Sequence, residues 1–299
     1  MYSTTNDFPT SLDEGAVLLP TETNARSGNG AGIKQDADCE QRVARQLDEL
    51  TKLLAVETDF VVEDPLYDLP SEFLLSVVIP VFNEETTIRE LLARVHALPL
   101  PLEIVVVDDH SSDRTPDELR RWQGVENVKV VCHEKNLGKG AALRTGFEAA
   151  TGEIVVIQDA DLEYDPRDIL KLLQPILDGQ ADTVYGSRFL ENQHQDPSCF
   201  HRLGNRMLTM TSNWTTGLRL TDMETCYKAF RREVIRDLPI RQNRFGFEPE
   251  VTAKLARRGI RLREVPVSYH PRSRNEGKKI GWRDGLNALF CIARYAVAD

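Results

Sequence analysis

From position 74 onward the chain carries short unbroken apolar runs separated by stretches of helical character. The runs are residues 74–81 (LLSVVIPV), 102–107 (LEIVVV), 128–132 (VKVVC) and 153–157 (EIVVI). Their length, with turn residues at each end, predicts strands buried on both faces rather than strands with one wet side. Residues 84–98, a segment opening at Thr115-Pro116, residues 138–150 and residues 165–178 read as helices, with Pro116 suited to a first helical position and Asp165-Pro166 forming a cap. A last short run, 183–185, leads into Gly186-Ser187-Arg188. Apolar strands alternating with helices predict an α/β domain, Rossmann-like, with a mostly parallel sheet covered by helices on both faces. Sheets of this kind bind ligands outside the carboxyl ends of their strands. Asp108-Asp109 and the stretch Gln158, Asp159, Ala160, Asp161 fall at such ends.

The flanks differ from this core. Residues 1–35 are rich in Ser, Thr, Asn and Gly without periodicity, which predicts disorder. A helical stripe of Val43, Leu47, Leu50 and Leu54 follows within 36–56, and Pro65 and Pro70 punctuate a linker. The expected division is therefore an extension over 1–70, a catalytic domain over 71–281 and a C-terminal amphipathic helix over 282–299. Trp282, Leu286, Leu289, Phe290 and Val297 lie near one face of that last helix, which either packs on the domain or meets a membrane surface.

Composition narrows the class. At 41% hydrophobic and 28% charged residues the chain has the make-up of a soluble globular protein. Five scattered cysteines, none in a CxxC pair, argue against a disulfide framework or a zinc knuckle and for a reducing, cytoplasmic setting. No apolar run is long enough to cross a bilayer, and no basic-then-apolar leader is expected at the N-terminus. The net charge of −10 hides a gradient: residues 197–299 carry 20 Lys and Arg against 10 Asp and Glu. A basic C-terminal third suits phosphates or an anionic membrane. Without basic–aromatic interleaving, nucleic acid is not an expected partner.

Asp159 and Asp161 place two carboxylates at a strand end, where they repel unless a cation lies between them. All-oxygen ligands without nearby His or Cys point to a hard ion, Mg²⁺ or Mn²⁺, that also takes substrate phosphate oxygens, and Glu163 is a possible third ligand. Loop acids that merely cap a helix are the alternative. Asp109 suits ribose hydroxyls or a base N–H, or else caps the following turn. Asn136-Leu-Gly-Lys139-Gly140 precedes a helix and offers backbone N–H groups and a cation to an anion, although it is neither a P-loop nor a dinucleotide fingerprint. Arg188 could clamp a phosphate bidentately. Arg272, Arg274, Lys278 and Lys279 form a glycine-flanked basic segment that reads as a lid or as a solvated loop. Tyr227, Phe230, Phe245 and Phe247 read as core or pocket wall. No Ser-His-Asp or Cys-His arrangement is legible, so covalent catalysis has no evident nucleophile.

Taken in order, VVIPVFNEE (77–85), EIVVVDDHSSDRT (103–115), NLGKGAALRTG (136–146), VIQDADLEYDP (156–166), YGSRF (185–189), TDMETCYKAFRR (221–232), NRFGFEPE (243–250) and EVPVSYHPRSRNEGKKIGW (264–282) resemble the family-2 glycosyltransferases, in particular their polyprenyl/dolichol-phosphate sugar synthase branch. The resemblance implies a GT-A fold, a nucleotide-diphosphate sugar donor such as GDP-mannose or UDP-glucose, and direct inversion at the anomeric carbon. It implies that Pro80, Val81, Asn83, Glu84 and Asp109 line a nucleoside pocket, and that Asp159, Asp161 and Glu163 match the metal-binding triplet, with Glu163 standing where Gln is frequent. Arg188 with Arg272, Arg274 or Lys278 would hold donor or acceptor phosphates. A polyprenyl-phosphate acceptor at the cytoplasmic membrane face needs no strong base. A sugar-hydroxyl acceptor in a cell-envelope polysaccharide needs one, with Asp222 or Glu224 the candidates. A non-catalytic nucleotide-sugar-binding scaffold is the remaining class, disfavoured by the intact acids and the intact EGKK stretch. Oligomeric state is not legible.

Overall fold

The computed structural model of the chain describes residues 69–190, 199–272 and 282–297. Residues 1–68 of the expected 1–70 extension, including its helix near 36–56, and Arg274, Lys278 and Lys279 of the basic segment lie outside the described residues.

Each apolar run becomes a strand: β1 is Leu75–Val81, β2 Leu102–Asp108, β3 Val128–Cys132 and β4 Ile154–Ile157. Between them lie α1 (Ile88–His96), α2 (Thr115–Arg120) and α3 (Lys139–Ala149). A short 3₁₀ turn over Pro166–Asp168 leads into α4 (Ile169–Leu177), and β5 (Thr183–Ser187) follows. The later chain adds α5 (Cys199–Thr216), β6 (Lys228–Arg231), α6 (Arg232–Arg236), α7 (Phe247–Arg257), β7 (Leu262–Pro266) and α8 (Trp282–Val297). Among the described residues seven strands form one sheet in the order β3-β2-β1-β4-β6-β5-β7.

The unbroken apolar character of β1 has a direct cause. Leu75, Val77 and Ile79 join the core under α1 and α4, while Val78 joins the core shared with α3, α7 and Ile292 of α8. A strand covered on both faces has no solvent side on which to place polar residues. The first helix begins at Ile88 rather than at 84 because the loop before it is tied elsewhere. Glu84 N–H donates to Thr115 Oγ1 at 2.8 Å and Glu85 N–H to Asp113 at 3.1 Å.

The parallel order has one exception. Strand β6 runs antiparallel to both neighbours, β4 and β5. Two reversals restore the direction of β5, so its carboxyl end opens on the same edge as those of β1, β2 and β4. Because β6 points the other way, the segment entering it, Thr221–Tyr227, also arrives at that edge. The sheet thus gathers the ends of four strands and the start of a fifth along one cleft.

Candidate active site

At the end of β4 the two aspartates face different surroundings. Asp159 Oδ1 lies 2.8 Å from Lys139 Nζ, at the first position of α3. Lys139 Nζ also donates to Cys226 Sγ at 2.9 Å and lies 3.8 Å from Glu248 Oε1. Burial opposes charge on both partners, but Lys139 holds the Asp159 carboxyl below the usual range, and Asp159, Cys226 and Glu248 hold Lys139 well above its own. Among the described residues no cation pairs with Asp161 in this way. Burial, then Asp159, then Glu163 push its carboxyl up to about 7, with Arg272 opposing only in part.

Glu163 is engaged by the chain. Tyr269 Oη donates to its Oε2 at 2.8 Å, and the backbone N–H of Arg272 donates to Oε1 at 2.9 Å. Arg272 itself crosses the cleft: Nε donates to the Asp161 carbonyl at 2.7 Å and Nη2 to Glu84 Oε2 at 2.8 Å. Arg272 thus straps the β1 loop to the aspartate loop, and Glu163 anchors that strap. Among the described residues no group of three or more His, Cys, Asp or Glu is arranged to hold a metal ion, so Asp159, Asp161 and Glu163 are not a ready-made three-ligand cage. The set nevertheless fits a divalent cation shared with a substrate. Asp161 carries a half-buried carboxyl that Arg272 relieves only in part, and Mg²⁺ is commonly held by one or two carboxylates together with phosphate oxygens and water.

The nucleoside-side residues stand around the end of β1. Pro80 and Val81 are its last two residues, both buried. Asn83, in a left-handed conformation at φ 53°, receives the Ser112 N–H on Oδ1 at 2.8 Å and donates its own N–H to Ser111 Oγ at 2.9 Å. Asp108 caps that same turn through Ser111. Asp109 is a tether: it accepts the N–H groups of Leu137 (2.8 Å) and Gly138 (2.6 Å) and pairs with His133 Nδ1 (2.7 Å). Its carboxylate thus shapes the Asn136–Lys139 loop, whatever else it meets.

That loop is not an open anion cradle. The Asn243 carbonyl receives the Ala141 N–H at 3.2 Å, occupying the start of α3. Gly138, at φ 98°, and Gly140 allow this approach, since a Cβ there would sit 2.4 Å from Asn243 O and 2.2 Å from Gln242 O. At Ala141 the chain itself supplies an acceptor for one of the N–H groups at this helix start.

At the end of β5, Arg188 meets Asp222 in a two-point pair, Nε to Oδ2 at 2.6 Å and Nη2 to Oδ1 at 2.8 Å. Its backbone N–H adds a third bond at 3.1 Å, and Asn205 donates to Asp222 Oδ1 at 3.1 Å. Burial resists charge on Asp222, yet Arg188 holds its carboxyl below the usual range. A carboxylate so occupied is a poor proton acceptor. Glu224 differs. Burial first, and then the neighbouring Glu248, push it up to about 8, and its Oε1 has no partner.

Sequence reasoning did not assign roles to Cys226, Glu248, Lys228 or Tyr269. Their motifs were in view, but only the reversal of β6 and the entry of α7 show that they border the aspartates. Tyr227, stacked on Tyr164 at 4.6 Å, and Phe230 and Phe247 are core, as expected.

Residues 76–238, more than half of the chain, match the family model for glycosyl transferase family 2. The undecaprenyl-phosphate 4-deoxy-4-formamido-L-arabinose transferase of Aeromonas hydrophila is 33% identical over 211 residues, covering 69% of this chain and 62% of that protein. The dolichol-phosphate mannosyltransferase of Pyrococcus furiosus is 32% identical over 212 residues, covering 69% and 59%. The chain thus spans about three fifths of the length of these curated relatives. The glucosyl-3-phosphoglycerate synthase of Mycobacterium tuberculosis, solved with Mn²⁺, UDP and phosphoglyceric acid, superposes with a TM-score of 0.58 at 21% identity, over 76% of this chain and 80% of that one. At that identity the likeness is one of fold, and it agrees with the GT-A arrangement expected from the motifs. By sequence, the chain belongs to glycosyl transferase family 2.

Proposed function

We propose that the protein transfers a hexose from a nucleotide-diphosphate sugar, GDP-mannose or UDP-glucose, to a polyprenyl phosphate, using Mg²⁺ or Mn²⁺. The observation that supports this reading is the half-buried Asp161 carboxyl, raised to about 7 and only partly relieved by Arg272, at a strand end beside the Asp159–Lys139 pair. Curated relatives named for undecaprenyl and dolichol phosphate support the acceptor class. A bound divalent ion would neutralise charge developing on the departing diphosphate. Asp161 and Asp159 would hold it, while Lys139 keeps Asp159 ionised and fixed. Asn83 and Glu84 border the nucleoside side. A phosphate oxygen of the acceptor forms the new bond to the anomeric carbon as the bond to the diphosphate oxygen breaks, with inversion. The pair with Asp222 uses Nε and Nη2 of Arg188, leaving Nη1 to orient an oxyanion, with Arg274, Lys278 and Lys279 as further cations.

A phosphate nucleophile needs no strong base. Transfer to a sugar hydroxyl would need one, and of the two expected bases only Glu224 keeps an unpartnered oxygen. One assay separates the readings: labelled GDP-mannose and UDP-glucose are offered with a short polyprenyl phosphate or with free sugars, with and without EDTA. Metal-dependent label in the lipid product is expected. Label only in free sugars would replace the acceptor, and transfer undiminished by EDTA would remove the metal.

A lipid acceptor requires the cleft to reach a membrane. Among the described residues no helix is long and apolar enough to cross one. Among the described residues, eight of the nine exposed large apolar side chains lie on two helices that pack together, α5 and α8. Leu203, Met207, Met210 and Trp214 recur at helical spacing along α5, which has no acidic residue, and Leu286, Leu289, Phe290 and Val297 along α8. Such stripes on a basic segment fit the interface of an anionic bilayer. Trp214 is 86% exposed and Phe290 63%. The Trp214→Ser/Phe290→Ser protein is expected to lose most of its co-sedimentation with phosphatidylglycerol vesicles. Binding equal to that of the unaltered protein would refute the seat.

A further inference from the structure

A cleft of about 540 Å³ opens beside the loop that leads into α3. Asn136 and Leu137 line it from that loop, Arg241 and Arg244 from the segment before α7, and Asn287 from α8. Asp159, Asp161, Lys139 and Arg188 do not line it, so it is a different place from the candidate active site.

The segment that carries the two arginines is tied down on several sides. The fully buried Glu250 carboxylate receives the backbone N–H groups of Arg241 at 2.8 Å and Gln242 at 2.7 Å. Arg144 donates to the Gln242 carbonyl at 3.1 Å, and Gln242 Nε2 donates to Tyr295 Oη at 3.0 Å, which joins the segment to α8. The stem of Arg244 lies against Gly138, where a Cβ would come within 2.7 Å of its Cγ. Arg241 and Arg244 are nonetheless exposed, and among the described residues no acid lines the cleft. Fixed cations beside the amides of Asn136 and Asn287 suit a phosphate and the oxygen atoms around it.

The rim says which phosphate. Among the described residues Leu137 is the one exposed large apolar side chain outside α5 and α8. Asn287 stands inside the apolar stripe of α8, with exposed Leu286 before it and exposed Leu289 and Phe290 after it. A free phosphate gains nothing from leucines, whereas a membrane lipid sets its phosphate directly beside its acyl chains. The acceptor phosphate has to meet the sugar near Asp161 and Arg188, which lie elsewhere. We propose that this cleft seats the headgroup phosphate of an anionic phospholipid that the reaction does not consume, with Arg241 and Arg244 on the phosphate and Leu137 against the chains. The inference rests on the membrane seat described above and adds to it a site for one lipid headgroup.

The test uses the full chain and compares phosphatidylglycerol with phosphatidylcholine vesicles at one ionic strength. Arg244→Gln is expected to weaken co-sedimentation with phosphatidylglycerol about tenfold, the size of lost hydrogen bonds to a charged group, and to leave the phosphatidylcholine level unchanged. Losing any cation weakens attraction to an anionic surface, so a second variant keeps the charge. Asn287→Leu extends the apolar stripe and crowds the cleft. A stripe acting alone would then hold both kinds of vesicle at least as well as before. A headgroup cleft instead loses about fivefold on phosphatidylglycerol and nothing on phosphatidylcholine. Phosphatidylglycerol binding kept or raised in Asn287→Leu overturns the cleft and leaves the apolar seat standing. Inorganic phosphate, titrated calorimetrically, is expected to show no saturable binding. Saturable binding that Arg244→Gln removes, beside vesicle binding that neither variant changes, gives the cleft to a free phosphate and overturns the lipid. An unaltered protein that sediments with neither vesicle overturns the cleft and the seat together.

Discussion

Asp161→Asn is expected to keep the fold and lose at least about 10²-fold in transfer rate, roughly 2.7 kcal/mol of transition-state stabilisation. The argument runs through a contrast between neighbours. Asp159 is paired with Lys139, whereas Asp161 stands half-buried beside Asp159 and Glu163 with only partial relief from Arg272. Removing the charge at 161 therefore removes repulsion, so the ligand-free protein should unfold at an equal or higher temperature. Removing it at 159 strands the Lys139 ammonium, and Asp159→Asn should unfold earlier. The same chemical change two residues apart is thus expected to move stability in opposite directions. Thermal scans with and without Mn²⁺ check it further, since the metal should stabilise the unaltered protein and no longer stabilise Asp161→Asn. An Asp161→Asn enzyme with undiminished, metal-dependent transfer would sink the metal assignment.

What could be read from the sequence follows from what a parallel strand does to its residues. β1, β2 and β4 are covered on both faces, so they appear as apolar runs, and the acids that end them stand out at once. The pair at 159 and 161 was visible for that reason. The part that was not visible begins at β6. Four residues, Lys228–Arg231, carry no mark of running antiparallel, and that reversal brings Thr221–Tyr227 to the working edge. Asp222 then reads as a free acid in a loop, because its partner Arg188 lies 34 residues earlier and nothing local joins them. Glu163 and Arg272 are a second case: their types fit ligand and clamp, and nothing local announces the contact across 109 residues that also makes them a strap and its anchor. Residue type gives the chemistry available, and the non-local pairing decides which groups spend their charge on the chain.

The Arg188–Asp222 pair is where that spending is largest. Asp222 is fully buried and accepts both guanidinium bonds, the Arg188 backbone N–H and an Asn205 bond. Breaking a buried pair from one side leaves an uncompensated charge, which costs on the order of 3–5 kcal/mol. Asp222→Ala should therefore lower the unfolding temperature by roughly 10 °C in a domain of this size. The pH dependence has a definite sign. A carboxyl held below its usual range contributes stability above the ordinary aspartate pKa and loses it as pH falls through the lowered one. The difference between Asp222→Ala and the unaltered protein should thus be full at neutral pH, persist through mild acid and shrink only in strong acid. Arg188→Met should also destabilise, by orphaning Asp222, and should abolish most transfer because the guanidinium faces the cleft. The double variant, Arg188→Met with Asp222→Ala, leaves no buried charge behind. Its loss of stability is expected to be clearly smaller than the sum of the two single losses, while its transfer stays as low as that of Arg188→Met. Additive losses in the double variant would mean the two side chains stabilise the fold independently, and the pair would then hold nothing in register at this edge of the sheet.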